Sequence, residues 1–175
     1  MSLMFKKAEI VSFTRDLLET FEQQTRVKKL DLKFHTSAPE IEMWIDPKNF
    51  DKIILNLLSN ACKFTPENGQ VEISLSTGED THLPQNAPLR RYVELTVADS
   101  GIGIASTERE HIFERFYQIR NSQNNSNIGT GIGLHLTRSL VELHYGNIHV
   151  EDNGEGRPGS RFIICLLYTS DAADE

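Results

Sequence analysis

Apolar residues recur at helical spacing through "AEIVSFTRDLLETFEQQTRVKKL", at Phe13, Leu17, Leu18, Phe21 and Val27. That spacing predicts an opening helix with Ser12 as its cap. The period then changes. "LDLKFHT" alternates Leu30, Leu32 and Phe34 as a strand does, and "EMWID" reads as a short second strand. Asp46-Pro47 supplies a capping carboxylate followed by a proline suited to the first helical position. A helix is therefore expected through "KNFDKIILNLLSNACKF", closed by Pro66 and Asn68-Gly69. "QVEISLST" and "RYVELTVAD" alternate again, and the polar "GEDTHLPQNAPL" between them reads as a long hairpin loop. "STEREHIFERFYQI" predicts a short helix capped by Ser106 or Thr107, and "RNSQNNSNIGTG" a flexible connection. A last helix and two strands, "NIHVED" and "GSRFIICLL", follow around the turn "NGEGRPG".

No internal repeat is present. Strands adjoin in pairs instead of alternating strictly with helices, so the expected fold class is α/β (α+β), a two-layer sandwich. A mixed β-sheet would carry its helices on one face. Composition alters this picture little: 175 residues suffice for one domain with a core, and 38% apolar content is ordinary for a globular chain. The net charge of −7 argues against a general nucleic-acid binder. Cys62 and Cys165 lie far apart without metal-type spacing, which fits a reduced, cytoplasmic setting. No apolar run approaches membrane-spanning length and no secretory leader is visible, so direct membrane contact is not expected.

Three features carry chemistry. On the helix 47–64, Asn56, Asn60 and Lys63 fall at i, i+4 and i+7 and form a polar stripe beside an apolar face. Asparagine is a mediocre helix former; its carbonyl suits Mg²⁺, and a neighbouring lysine suits phosphate. A solvated face would read the same. In "VADSGIGI", Asp99 ends a strand before Gly101 and Gly103, placing a rigid carboxylate beside backbone that another molecule can approach. A tight turn with a capping aspartate is the plainer alternative. In "GTGIGL", Gly129, Gly131 and Gly133 open a helix whose N-terminal N–H groups favour phosphate. That stretch lacks the Gly-Lys-Ser/Thr ending of a P-loop, and read alone it supports only a flexible turn.

Taken in order, "NLLSNACKF", "DSGIGI", "IFERFY" and "GTGIGL" resemble the N, G1, F and G2 boxes of the sensor histidine kinase catalytic and ATP-binding domain. That family shares a superfamily with DNA gyrase, a mismatch-repair ATPase and a heat-shock chaperone. The resemblance spans roughly residues 8–167. It implies a Bergerat-type fold with ATP held under a lid at about 118–130. It also implies a Mg²⁺ ligand in Asn60, phosphate contacts from Asn56 and Lys63, and an acceptor for the adenine amine in Asp99. Gly101 and Gly103 would shape the adenine pocket and Gly129, Gly131 and Gly133 would cradle phosphate, with Phe64, Ile104, Thr130 and Leu134 also in the cofactor-binding set. Phe113 and Phe116 would anchor the start of the lid.

One position separates branches of the superfamily. The ATPases carry a glutamate base one turn before the Mg²⁺ asparagine; Asn56 stands there and has no useful basicity. The resemblance therefore implies a protein-histidine kinase: phosphoryl transfer from Mg-ATP to a histidine on a dimerisation hairpin, with a response regulator downstream. A nucleotide-binding sensor without transfer, and a gyrase- or chaperone-type ATPase, are the alternatives. Gln118 replaces an arginine found in many relatives, with Arg115 or Arg120 as substitutes. None of the six histidines precedes an acidic residue in the acceptor pattern, so the hairpin is expected on a separate segment of a parent protein open to inner-membrane anchoring. Finally, "CLLYTSDAADE" resembles a translated transposase sequencing adapter, which would end the native sequence near Ile164. Leu166 and Leu167 would still extend the last strand, with 168–175 a disordered tail.

Overall fold

In the computed structural model, which describes residues 3–79, 91–117, 120–121, 126–127, 133–154 and 156–168, the first element is a strand, β1 (Lys6–Glu9). Helix α1 (Ile10–Val27) follows at once. Its cap is Glu9 in place of the expected Ser12: the Glu9 carboxylate accepts from the N–H groups of Val11 and Ser12, at 2.7 and 2.9 Å. The strand ends on a carboxylate long enough to reach both free amides of the first turn, so Ser12 becomes a recipient of capping. Leu18 and Phe21 face the core as predicted, whereas Val27 is 85% exposed at the helix end.

Strands β2 (Asp31–Thr36) and β3 (Glu42–Ile45) come next, then α2 (Pro47–Phe64). Asp46 caps α2 as expected, accepting from Asn49 N–H at 3.3 Å with Pro47 in the first turn. The hairpin partners are β4 (Gln70–Glu79) and β5 (Arg91–Asp99). Two-residue strands β6 (Arg120–Asn121) and β7 (Ser126–Asn127) pair with each other inside the predicted lid. Helix α3 (Gly133–Leu143) precedes β8 (Gly146–Asp152) and β9 (Ser160–Tyr168). The last strand includes Leu166 and Leu167, so the apolar run extends it as anticipated.

The main sheet has five strands in the order β2-β4-β5-β9-β8. β2 runs parallel to β4 and the other pairings are antiparallel, giving the mixed sheet that the strand pairing implied. β1 and β3 form a separate antiparallel ribbon. Register explains the layering. Phe34, Ile73, Val97, Phe162 and Val150 lie in one row across all five strands, and the adjacent row Lys33, Glu72, Ala98, Arg161 and Glu151 points to the opposite face. Ile53, Ile54, Leu57, Leu58 and Ala61 of α2, Leu140 and Val141 of α3, and Leu18 and Phe21 of α1 join the apolar row in one core.

One predicted helix is absent. Residues 105–117 form successive turns held mainly by i→i−3 bonds, such as Glu108 N–H to Ala105 C=O at 2.9 Å and Glu114 N–H to His111 C=O at 2.9 Å. A φ of +66° at Phe116 is incompatible with a continuing helix.

The start of α2 and the end of α3 are tied together at the opposite end of α2 from Asp99. Asp46 Oδ2 accepts from Met4 N–H at 2.8 Å, and Asp46 N–H donates to His144 Nε2 at 3.1 Å. The opposite ring nitrogen, Nδ1, lies 2.7 Å from Leu140 C=O, so it carries the proton and Nε2 accepts. Phe5 packs edge-on against the His144 ring with centroids 5.4 Å apart.

Glu9 and Asp46 make the fold sensitive to acid. Burial pushes both carboxyls upward, but the backbone N–H donors (Ile41, Ser12 and Val11 for Glu9; chiefly Met4 and Asn49 for Asp46) outweigh it and hold each below its ordinary value. A carboxyl depressed in the folded state stabilises above its unfolded value, and that stability is lost as pH falls through the depressed folded value. Urea denaturation is therefore expected to show stability falling through and below the ordinary carboxylate range. The double variant Glu9→Gln/Asp46→Asn should be less stable at neutral pH, with a visibly shallower acid slope.

Candidate functional site

The apolar face of α2 lies on the sheet, so its polar stripe is turned toward α3. Asn56 and Asn60 are half-buried and Lys63 is exposed. Asn56 Nδ2 donates to the Thr137 hydroxyl on α3 at 3.2 Å, and that hydroxyl donates to Gly133 C=O at 2.7 Å. No hydrogen bond to the Asn60 amide or the Lys63 ammonium occurs among the described residues, leaving a neutral oxygen and a cation one turn apart on the same face. Lys28 reaches the other side of the helix end, where its ammonium bonds the Cys62 carbonyl and lies 3.4 Å from that of Lys63, a favourable place for a cation.

Asp99 sits at the end of β5 and is 4% exposed. Its Oδ1 accepts from Gly101 N–H at 2.9 Å and its Oδ2 from the Ser160 hydroxyl at 3.0 Å. Burial dominates its electrostatics and pushes the carboxyl above its ordinary value, although the Gly101 and Ser160 donors oppose this. Neutral donors supply all the compensation, so the carboxylate keeps a strong appetite for a further hydrogen-bond donor. Ser160 was not picked out by sequence reading; its only signal is the Gly159-Ser160 pair at the mouth of the last strand.

The glycines around Asp99 prove to be demanded by the chain itself. A side chain at Gly101 would run into the Phe64 carbonyl, and one at Gly159 into the Asp99 carbonyl. Gly103 has φ +77° and approaches Gly159, whose φ is +97°. Ile102 N–H completes the junction by donating to Phe64 C=O at 3.3 Å. The turn after β5 is thus clamped between the end of α2 and the turn before β9. Ile104 and Leu134 are half-buried against the core, and Ile104 C=O accepts from Arg109 Nε at 3.2 Å.

At the mouth of α3, a side chain at Gly133 would meet none of the described residues. Gly129, Thr130, Gly131 and Gln118 lie outside the described residues. Phe113 is buried, with its ring 6.2 Å from that of Phe162, and anchors the segment as expected. Phe116 does not: it is 61% exposed, with the Arg115 guanidinium 4.9 Å above its ring. Tyr117 takes the anchoring place, its hydroxyl donating to Glu108 at 3.0 Å. A hollow of about 510 Å³ lies elsewhere, on the polar face of the sheet, and of the predicted site residues it touches only Asp99.

The model of the histidine kinase-, DNA gyrase B- and HSP90-like ATPase family matches residues 45–170, which hold all these elements from α2 to β9. The chain belongs to this family. Among its relatives, the sensor histidine kinase TmoS of Ectopseudomonas mendocina is 36% identical over 166 residues, 95% of this chain and 16% of TmoS. The chain spans less than a third of the length of the curated relatives it matches first. The solved catalytic domain of histidine kinase ThkA superposes with a TM-score of 0.77 at 25% identity, covering 95% of this chain and 99% of that one. Full-length ShkA in complex with AMPPNP matches with a TM-score of 0.77 at 26% identity, covering 97% of this chain and 32% of ShkA. The fold is that of histidine kinase catalytic domains.

Because Gly159 admits the Asp99 carbonyl where a Cβ would stand and also requires a positive φ, Gly159→Ala is expected to destabilise the domain by about 2 kcal/mol or more. Chemical denaturation of the two proteins measures this directly.

Proposed function

We propose that this domain binds ATP with Mg²⁺ and transfers the γ-phosphoryl group to a histidine on a separate dimerisation hairpin of a longer parent kinase. A response regulator would receive the phosphoryl group afterwards. The observation that carries the reading is the buried Asp99 carboxylate, held by neutral donors at a strand end beside the helix that bears Asn60 and Lys63. The exocyclic amine of adenine is a donor of the kind this carboxylate lacks. That ShkA was solved with AMPPNP supports the same reading, since the shared fold covers nearly the whole of this chain.

The residues fit a Mg²⁺–phosphate group. Asn60 offers a neutral amide oxygen with no competing partner among the described residues, and Mg²⁺ commonly takes few protein ligands alongside substrate phosphates. Bound there, the ion would neutralise charge on the phosphates. Lys63 adds a cation on the same face, and the first N–H groups of α3 are donors of the kind an anion takes. Asp99 fixes the base end and the stripe fixes the phosphate end, so the chain's contribution is positioning. Hydrolysis is disfavoured because Asn56, at the position of the ATPase base, is an amide already engaged with Thr137. A histidine acceptor needs no such base, since neutral imidazole is itself a nucleophile.

Incubation with labelled ATP and a separate cognate acceptor hairpin is expected to place acid-labile phosphate on the hairpin. Tight binding without transfer would leave a sensor, and rapid phosphate release an ATPase. Asp99→Asn should weaken ATP binding about tenfold or more, whereas Asn60→Ala should remove mainly the Mg²⁺-dependent part, both measured by calorimetry. The affinity should also decline on acidification. Because burial raises the Asp99 carboxyl, protonation removes the charged acceptor at a higher pH than an ordinary aspartate would require, and Asp99→Asn should abolish that dependence.

A further inference from the structure

Thr137 lies one turn into α3, with no exposed surface. A threonine hydroxyl has one proton to give. Here it goes to Gly133 C=O at 2.7 Å, the shorter of its two contacts, so the oxygen can only accept in the second, which brings Asn56 to 3.2 Å. Only the NH₂ end of an amide can satisfy that demand. The Asn56 carbonyl oxygen must therefore point away from Thr137, and it has no partner among the described residues. An unrestrained asparagine would present donor or acceptor with similar ease.

From this we infer that Thr137 is a positioning residue, which locks Asn56 with its NH₂ on α3 and leaves its carbonyl free for a donor at the proposed nucleotide site. The inference rests on the proposed ATP site and adds a role for the Asn56 carbonyl within it. A phosphate oxygen is itself an acceptor and gains nothing from an amide carbonyl. A water molecule in the shell of a bound metal ion is a donor and does gain. The Asn56 carbonyl thus serves the metal's hydration shell, one turn from Asn60, while the second N–H of its amide stays available to a phosphate oxygen. The same hydroxyl holds Gly133 C=O, so the mouth of α3 and the amide on α2 are fixed by one group. A threonine back-bonded to its own helix is common and by itself only structural. The amide from a second helix distinguishes this one.

The test compares Thr137→Val, which keeps shape and removes the hydroxyl, with Thr137→Ser, which keeps the hydroxyl. The first readout is the ratio of ATP dissociation constants in EDTA and in Mg²⁺, by calorimetry. The second is the Asn56 side-chain amide by ¹H–¹⁵N NMR in the nucleotide-free chain. Expected are a nuclear Overhauser contact from the Asn56 NH₂ to the Thr137 methyl, a roughly fivefold fall in the Mg²⁺ enhancement for the valine variant, and recovery with serine. An Asn56 amide without that contact would overturn the inference, as would a wild-type enhancement in the valine variant or a serine variant as impaired as valine. If the valine variant does not fold, the wild-type contact and the serine variant still decide the matter. Absence of any Mg²⁺-dependent ATP binding in the wild type would remove the functional reading, and with it the metal-shell role of Asn56. The NMR contact would separately decide the amide's orientation.

Discussion

A carboxylate buried at the end of β5 with no counter-ion among the described residues is the constraint around which this domain is organised. Asp99 carries its charge into an environment that raises its pKa, and among the described residues Gly101 N–H and the Ser160 side chain and backbone offset the loss of water. Those donors reach it because three chain segments converge on one strand end: the end of α2, the turn after β5, and the turn before β9. Gly101, Gly103 and Gly159 are required by this convergence, since each lies where a neighbouring backbone passes too close or at a backbone angle too strained for a side chain. Asn153 adds a further tie by donating to the Asp99 carbonyl at 2.5 Å.

The second organising relation is between the two helices on the sheet. Packing the apolar face of α2 against β5 leaves Asn56, Asn60 and Lys63 on the side that α3 approaches. Thr137 then joins the helices through a buried hydroxyl, at the level of Asn56 and close to the open mouth of α3. At the other end, Asp46 and His144 tie the helix ends to the entering chain. The helices are thus tied at one end by the Asp46–His144 clasp and nearer the site through the Thr137 hydroxyl, in addition to their shared apolar core. The Asp99 junction, built against Phe64, lies at the opposite end of α2 from that clasp.

Much of the arrangement was legible in the order of residues. The Asp46-Pro47 start of α2, the alternation in β4 and β5, and the apolar run of β9 each state their element, because capping and a half-buried face act through nearest neighbours. The errors fell where distant contacts override local preference. Ser12 yielded its capping role to Glu9, whose side chain also accepts from Ile41 N–H at 2.9 Å, thirty-two residues away. Residues 105–117 have helical spacing, yet the positive φ at Phe116 and the anchoring of Phe113 and Tyr117 turn them into successive bends.

The sequence by itself determined the family, the mixed sheet with helices on one face, and the polar stripe beside the apolar face of α2. These follow from periodicity and from motifs whose spacing is local. Only the tertiary structure decided what the stripe and the glycines meet. Gly101 and Gly159 make room for the chain's own carbonyls, Ser160 reaches Asp99 from sixty-one residues away, and Thr137 engages the Asn56 amide from eighty-one. Hydrogen-bond direction depends on which groups face each other in space, and no local pattern of residues encodes that.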